Sequence, residues 1–216
     1  MNMMTSDRRI ALILFAYALL LAVLPVVLDE HAFAWTFSEE GPFERLSIVA
    51  WIATALIVAV RIRPFGARAG AFVLLCLIFA AREADWHKAF TGESFLKHSF
   101  YRDVAHPIEE KLVCAVIALL LVALLLYAGC VIARFLFLRG GWRSRSGGWL
   151  LAGTVLLITG KVLDRLPAIL SVDYGIELEP LLRLYAKAFE EGLEVVQLMT
   201  LGWSVWISQF ERRYMS

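Results

Sequence analysis

The side chains best suited to chemistry crowd into one short stretch of the sequence, residues 82–88. There, Glu83 and His87 stand four residues apart, so a helix that continued through both would carry them on one face. Zinc and similar ions accept both carboxylate oxygen and imidazole nitrogen, so this spacing predicts part of a metal site. The predicted metal ligands are Glu83, His87, His98 and His106, with Glu110 or Asp164 able to replace one of them.

Acid–base catalysis is a second use of the same stretch. Asp85 lies between Glu83 and His87, and Asp164 ends a later hydrophobic run. A carboxylate and an imidazole at one site can accept and return a proton during hydrolysis or group transfer. The predicted catalytic residues are therefore Glu83, Asp85, His87 and Asp164. The competing interpretation is that the histidines of this region are ordinary residues of a surface loop.

Two further acidic groups share the pattern Glu-Glu-Gly followed shortly by another Glu. They are residues 39–44 and residues 190–194, and each precedes a hydrophobic run. A continuous helix would stack one carboxylate a turn above another, and such a pair can share a proton or chelate a hard cation. Pro42 favours a helix that begins at the proline, which would leave Glu40 outside it. The helix dipole alone also favours acids in a first helical turn.

Hydrophobic runs separate these residues and must position them. Of the 216 residues, 60% are hydrophobic and the mean hydropathy is +0.71, which is more apolar surface than a soluble domain can bury. Runs of roughly 20 apolar residues match the bilayer core. The sequence predicts an all-α, polytopic membrane protein with six transmembrane helices at residues 10–28, 46–60, 69–81, 112–133, 149–163 and 193–207. The first run is too long for a signal peptide, so we expect a retained span.

Charged residues are divided unequally between alternate gaps. One set of gaps holds eleven of the 21 basic residues and two of the 20 acidic residues, and these eleven bases are all arginine. The other set holds the remaining ten bases and 18 acids. Because positive loops stay in the cytoplasm, both termini are expected inside and the gaps at 29–44, 82–111 and 164–191 outside. The arginine-, alanine- and leucine-rich composition is typical of GC-rich bacteria, so we expect a bacterial inner membrane.

Four of the predicted spans carry polar side chains at steps of three and four residues, which places them on one helix face. Because lipid cannot satisfy such groups, the polar faces should meet inside the bundle and open outward as an acidic recess. The residues predicted to line this recess are Glu44, Ser47, Arg82, Lys161, Arg165, Glu190, Glu194 and Gln197. An ion-pair belt that only ties helix ends together would show the same pattern, so both interpretations stay open.

The sequence favours a single membrane domain over residues 1–216. Spans one to four occupy residues 1–139, spans five and six occupy residues 149–216, and the Gly/Arg/Ser-rich stretch 140–148 predicts a flexible cytoplasmic linker. The amphipathic segment 179–189 is expected to lie along the outer surface and to turn into the sixth span near Gly192.

Three functions fit this pattern. A hydrolase or transferase acting on a lipid or lipid-linked substrate would use the outer recess, with a divalent metal such as zinc as the expected cofactor. The first alternative is a small transporter or ion-binding protein, although such proteins normally hold charged sites near the membrane midplane. The second is an assembly or scaffold protein that docks another membrane or periplasmic protein. The lipid bilayer is an expected partner and nucleic acid is not, because the basic residues form no patch.

Overall fold

The computed structural model describes residues 3–89 and 91–208, and over these residues the secondary structure is helical, with no strand. The all-α prediction is confirmed. Glu211, Arg212 and Arg213, which enter the predicted charge asymmetry, lie outside the described residues. The α-helices in chain order are α1 (Met3–Val27), α2 (Glu30–Thr36), α3 (Pro42–Arg61), α4 (Ala67–Glu83), α5 (Trp86–Ala89), α6 (His98–Arg102), α7 (Ile108–Ala133), α8 (Arg145–Tyr174) and α9 (Pro180–Ile207).

Three helical segments are long enough and apolar enough to cross a membrane. They are Ser6–Val27 in α1, Pro42–Arg61 in α3, and Ile108–Leu138, which joins α7 to the π-helical turn that follows it. Their apolar side chains are mostly exposed; Phe15 in α1 and Leu119 in α7, for example, are 70% and 69% exposed. A water-soluble protein would tend to bury such side chains, whereas lipid covers them readily. These helices therefore indicate a membrane protein.

The other three predicted spans also lie within helices. Residues 69–81 fall in α4, residues 149–163 in α8 and residues 193–207 in α9. The lengths of these helices are 17, 30 and 28 residues, whereas about 20 residues are needed to cross the hydrocarbon core. Each of these helices carries charged residues at the end predicted to face outward, which lowers its apolar character. The six-span count stays a prediction.

The helix expected to carry Glu83 and His87 on one face does not continue through both. α4 ends at Glu83, Asp85 adopts a left-handed backbone conformation with φ of 56°, and a new short helix begins at Trp86. Positive φ is uncommon for residues with a side chain, and aspartate is among those that tolerate it best. The four-residue spacing therefore does not set the geometry of this pair.

The prediction that the chain turns near Gly192 is wrong. α9 is one uninterrupted helix from Pro180 to Ile207, so segment 179–189 and the predicted sixth span largely form a single rod. Proline stands at the first helical position, where its missing N–H costs nothing. Gly192 lies buried within α9 with the side chain of Leu21 directly against it. The glycine therefore allows close helix packing and does not bend the chain.

The stretch 140–148 forms a defined turn, contrary to the flexible linker that its composition predicts. The Ser144 hydroxyl donates to the Gly141 carbonyl at 2.6 Å and accepts the Gly147 N–H at 3.0 Å. A serine that accepts the amide three residues ahead acts as a helix N-cap. Accordingly α8 begins at Arg145, inside the predicted linker. Hydrogen bonds between the serine side chain and the backbone fix a segment whose composition alone indicates flexibility.

The chain packs as two compact units. Unit 1 comprises Met1–Ser47 and Ala152–Leu201, and unit 2 comprises Ile48–Leu151 and Gly202–Ser216. The division passes through α3, α8 and α9, so each of these helices contributes residues to both units.

The core of unit 1 is largely aromatic. The Phe37 ring lies 4.7 Å, centroid to centroid, from both Phe33 and Phe43. The Tyr17 hydroxyl of α1 donates to the Gly192 carbonyl of α9 at 3.2 Å. The core residues come from α1, α2, the turn after α2, α3 and α9, and all are buried: Leu21, Phe33, Phe37, Phe43 and Ala188. This packing holds the first half of α9, which carries Glu190 and Glu191.

Unit 2 is stabilised by an aromatic pair, an arginine bound to a helix end and a short hydrophobic cluster. The Trp51 ring stacks on Phe79 with centroids 4.7 Å apart. Arg61 donates two hydrogen bonds, of 2.7 and 3.1 Å, to the Trp206 carbonyl, and its guanidinium lies 4.9 Å from the Trp206 ring. A cation that binds a last-turn carbonyl stabilises the C-terminal end of a helix. A buried cluster completes the packing: Val58, Ile62 and Ala69.

Candidate functional site

The predicted site residues are distributed over both units. Unit 1 holds Glu44, Ser47, Lys161, Asp164, Arg165, Glu190, Glu194 and Gln197. Unit 2 holds Arg82, Glu83, Asp85, His87, His98 and His106. The single outer recess that the sequence predicts stays a prediction.

In unit 2, the residues around the end of α4 form ion pairs with their sequence neighbours. An Arg82 guanidinium nitrogen lies 3.3 Å from the Glu83 carboxylate, and the Lys88 amine lies 2.8 Å from Asp85. The Nδ1 atom of His87 lies 4.0 Å from Asp85. Burial lowers the pKa of His87, which favours its neutral ring. Each carboxylate of this predicted catalytic segment therefore has a base beside it, as an ion-pair role requires.

A second cluster of unit 2 lies in the connection between α5 and α7. The imidazole of His106 has a carboxylate at each nitrogen, with Glu93 Oε1 at 3.3 Å from Nε2 and Glu110 Oε1 at 3.4 Å from Nδ1. Ligand atoms of Glu93, Asp103 and His106 lie within 4.8 Å of one another. One imidazole nitrogen with two carboxylate oxygens is a donor set that divalent metal ions accept.

Local contacts hold this cluster in place. The ring of Phe100, which is fully buried, lies 4.4 Å from the His106 ring, centroid to centroid. One carboxylate oxygen of Asp103 accepts the Ala105 N–H at 2.9 Å, a turn in which the side chain bonds the backbone two residues ahead. The positions of the imidazole and of one carboxylate are thus set by residues close in sequence.

Sequence reasoning finds only part of this cluster. It predicts His106 as a ligand and Glu110 as a substitute, and it misses Glu93 and Asp103. Asp103 precedes His106 by three residues, a local spacing that is a usable signal, whereas α6 separates Glu93 from both. Among the described residues, the group with converging ligand atoms does not include three of the predicted ligands: Glu83, His87 and His98.

In unit 1, α8 and α9 carry a compact group of lysines and acids. The Lys161 amine of α8 donates a hydrogen bond of 2.9 Å to the Glu194 carboxylate of α9. The Lys187 amine lies 2.5 Å from Glu191 and 3.6 Å from Glu190. Because α9 is continuous, Glu190 and Glu194 lie one turn apart, as the sequence predicts. The pair of Lys161 with Glu194 therefore links α8 to α9, the pairs of Lys187 lie within α9, and together they neutralise part of the acidic charge.

Glu190 differs from the other acids of this group because its pKa is raised close to neutrality. Burial raises the pKa of its carboxyl to about 7; Lys187 opposes the rise, and the charges of Glu191, Asp164 and Glu194 add to it. The side chain is still 19% exposed, so it is not sealed from its surroundings. A carboxyl with a pKa near neutrality can take up and release a proton at neutral pH.

Other predicted lining residues of unit 1 are held in structural contacts. Ser47 is buried, and its hydroxyl donates to the Glu44 carbonyl of the same helix at 3.1 Å. Gln197 is also buried. Arg165 is largely exposed and lies 3.9 Å from the adjacent Asp164. Ser47 therefore bonds its own helix, an arrangement that does not activate it as a nucleophile.

The two Glu-Glu-Gly segments differ in structure. α3 begins at Pro42, so Glu40 precedes the helix and Glu44 alone is in its first turn. The first segment therefore has no stacked pair, because proline favours the first position of a helix. The second segment lies wholly within α9 and keeps its pair.

Comparison with known proteins adds no assignment. No family model matches the sequence, no curated protein matches it, and no solved structure matches it. The function of this chain is therefore inferred from its own residues.

Proposed function

We propose that this chain is a multi-pass protein of a bacterial inner membrane, with six spans and both termini in the cytoplasm. The apolar lengths of α1, α3 and α7 support three spans. In this proposal α4, α8 and α9 supply the others; α4, with 17 residues, is at the lower limit for a transmembrane helix. The distribution of arginine supports the orientation.

The topology predicts which side of the membrane each connection faces. In a background without the native cysteines, Ser99→Cys and Glu177→Cys should react with a membrane-impermeant maleimide in intact cells. Arg143→Cys should react only after permeabilisation, because it lies on the arginine-rich side. All three positions are exposed. Labelling of Arg143→Cys in intact cells, or protection of Ser99→Cys, would contradict the proposed orientation.

The activity that the geometry of unit 1 favours is hydrolysis or group transfer on a lipid or lipid-linked substrate at the outer face. The observation that carries it is the group of Asp164, Glu190, Glu191 and Glu194, in which the pKa of Glu190 rises to about 7. A general base works best with a pKa near the operating pH. Perturbed acids of this kind concentrate at functional sites.

In this mechanism the Glu190 carboxylate accepts the proton of an attacking hydroxyl group. Water is the attacking group in hydrolysis, and a second alcohol is the attacking group in transfer. The oxygen attacks the carbonyl or phosphoryl centre of an ester, and the alcohol that leaves recovers the proton. The Lys187 amine, 3.6 Å from Glu190, supplies positive charge for the oxyanion that develops.

A lipid assay tests this function directly. Full-length protein in nanodiscs of bacterial inner-membrane lipid should form a hydrolysis or transfer product that mass spectrometry detects. The rate should rise as the pH increases through about 7, because the base is the ionised carboxylate. Glu190→Gln should lower the rate by roughly 100-fold or more.

The matched control for this assay is Glu177→Gln, which removes an exposed carboxylate of unit 1 paired with Arg183. It should leave the rate unchanged. Absence of any lipid product from the wild-type protein, or full activity of Glu190→Gln, would contradict the proposed activity.

A second function, assembly of a membrane complex, is supported by the ion pairs themselves. The pair of Lys161 with Glu194 ties α8 to α9 without any reaction, and Asp85 pairs with Lys88 within one local turn. A small transporter or ion-binding protein would use the same acids, with Glu190 as the proton carrier. Wild-type protein that lacks lipid activity but conducts protons in liposomes would favour transport, and inactivity in both assays would favour assembly.

A further inference from the structure

The connection between α5 and α7 carries a site that is independent of Glu190. We propose that Glu93, Asp103 and His106 bind a divalent first-row transition-metal ion, and that Zn²⁺ suits the arrangement best. Their ligand atoms lie within 4.8 Å of one another. All three residues belong to unit 2, so the site rests on contacts within one compact unit.

The spacing of two ligand atoms matches one edge of a zinc tetrahedron. Zn²⁺ lies about 2.0–2.2 Å from nitrogen and carboxylate oxygen, so two ligands at the tetrahedral angle are about 3.4 Å apart. Glu93 Oε1 and His106 Nε2 lie 3.3 Å apart. An ion bound by both atoms therefore requires little movement of either, and the Asp103 carboxylate needs to approach by only a small shift of its loop.

The Glu93 carboxylate has a buried oxygen that needs a partner. Oε1 is shielded from solvent and accepts no hydrogen bond from the described part of the chain, although His106 Nε2 is close to it. Buried acceptors are almost always satisfied, because an unmade hydrogen bond forfeits the solvation that burial removed. A cation between Oε1 and Nε2 would satisfy both lone pairs at once. The Glu93 side chain as a whole is 37% exposed, and Oε1 is paired with His106 Nε2, so this oxygen supports a bound ion only together with the convergence of the three ligand atoms.

The Nδ1 atom of His106 faces a carboxylate, as the nitrogen that does not bind metal commonly does in metal-binding histidines. Glu110 Oε1 faces Nδ1 at 3.4 Å, so it can accept a proton carried on Nδ1 while the lone pair of Nε2 binds a metal. The buried Phe100 ring packs against the imidazole and limits its rotation. Glu110 and Phe100 are therefore positioning residues of the site, and they do not contact the ion.

The charges and the number of ligands suit a zinc ion with an open position. Two carboxylates balance the two positive charges of the ion, and a neutral imidazole adds none. One Asp103 oxygen is engaged by the Ala105 N–H, which leaves the other for the metal. The Lys111 amine donates to the Asp103 carbonyl oxygen, which helps to hold the Asp103 backbone in place. Three protein ligands leave the fourth position of the tetrahedron to water.

Metal analysis of the whole protein tests this site. Full-length protein purified in mild detergent is stripped with a chelator, reloaded with Zn²⁺ and desalted, and the bound zinc is measured by mass spectrometry. We expect about one equivalent in the wild type, and its loss in His106→Ala and Asp103→Asn. Glu110→Gln should retain the site but weaken Zn²⁺ binding about 10- to 100-fold. Bound Co²⁺ should show the visible absorption of a tetrahedral site.

His98→Ala is the matched control, because His98 lies exposed in the same connection and outside the cluster. It should retain the full equivalent of zinc. Size-exclusion profiles of Asp103→Asn and Glu110→Gln, which preserve side-chain shape, separate loss of the site from loss of folding. Absence of zinc from the wild type, retention of zinc in well-folded Asp103→Asn and His106→Ala, or loss of zinc in His98→Ala would overturn the proposal.

Discussion

Gly192→Leu should prevent α9 from packing on α1 and abolish accumulation of the folded protein in the membrane. A Cβ atom at position 192 would lie 2.3 Å from Leu21 Cδ1 and 2.5 Å from Leu21 Cδ2, far inside van der Waals contact. Leu21 is only 1% exposed, so any rotation of its side chain must displace neighbouring packed side chains. Separation of the helices would also break the hydrogen bond from Tyr17 to the Gly192 carbonyl.

Gly192→Ala tests the same packing more finely, because helix propensity and overpacking change the stability of the protein in opposite directions. Alanine stabilises a helix interior by about 1 kcal/mol relative to glycine, whereas overpacking costs about 1–3 kcal/mol. We expect a net loss of stability, measured as a lower thermal midpoint of the purified protein in detergent. A second substitution, Leu21→Ala, should make the alanine at position 192 tolerable because it removes the atoms that clash.

Gly160→Ala is the control for this comparison. Gly160 is also a buried helical glycine, but the nearest atom to its added Cβ is Leu193 Cβ at an ordinary 3.8 Å. It should therefore be neutral or stabilising. Equal stability of Gly160→Ala and Gly192→Ala would contradict the close packing of α9 on α1.

Reversal of the charge of Lys161 should destabilise the pairing of α8 with α9 by about 2–3 kcal/mol, close to the cost of an unpaired charge in a membrane span. Lys161→Glu would remove the partner of Glu194 and add a carboxylate to the group that already contains Asp164, Glu190 and Glu191. Stability is measured by titration of the purified protein with a denaturing detergent.

The double variant Lys161→Glu with Glu194→Lys restores an ion pair of the opposite sense and should recover most of the loss. Arg183→Glu is the control, because it breaks the exposed pair with Glu177 and should cost no more than about 1 kcal/mol. A double variant no more stable than Lys161→Glu alone would show that the pair does not tie the two helices.

Much of the helical framework can be predicted because it depends on local properties. The six apolar runs fall in helices, apart from Leu28, the last residue of the first run, which lies just beyond α1. The position of Pro42 predicts where α3 begins. Helix continuity is harder to predict. A left-handed Asp85 ends the expected Glu83–His87 face, whereas Gly192 lies within a continuous helix against Leu21, which is distant in sequence.

The geometry of the site residues is also predictable where it is local and unpredictable where it joins distant segments. The type, the number and the intrahelical spacing of the acids and histidines follow from the linear order of residues, because a 3.6-residue period relates near neighbours; Glu190 and Glu194 are the example. Contacts that join distant segments do not follow from it. The approach of Glu93 to His106 depends on how the connection around α6 is folded, and the pairing of Lys161 with Glu194 depends on the register of α8 against α9. No short-range period encodes either distance, so both emerge only when the backbone is packed in three dimensions.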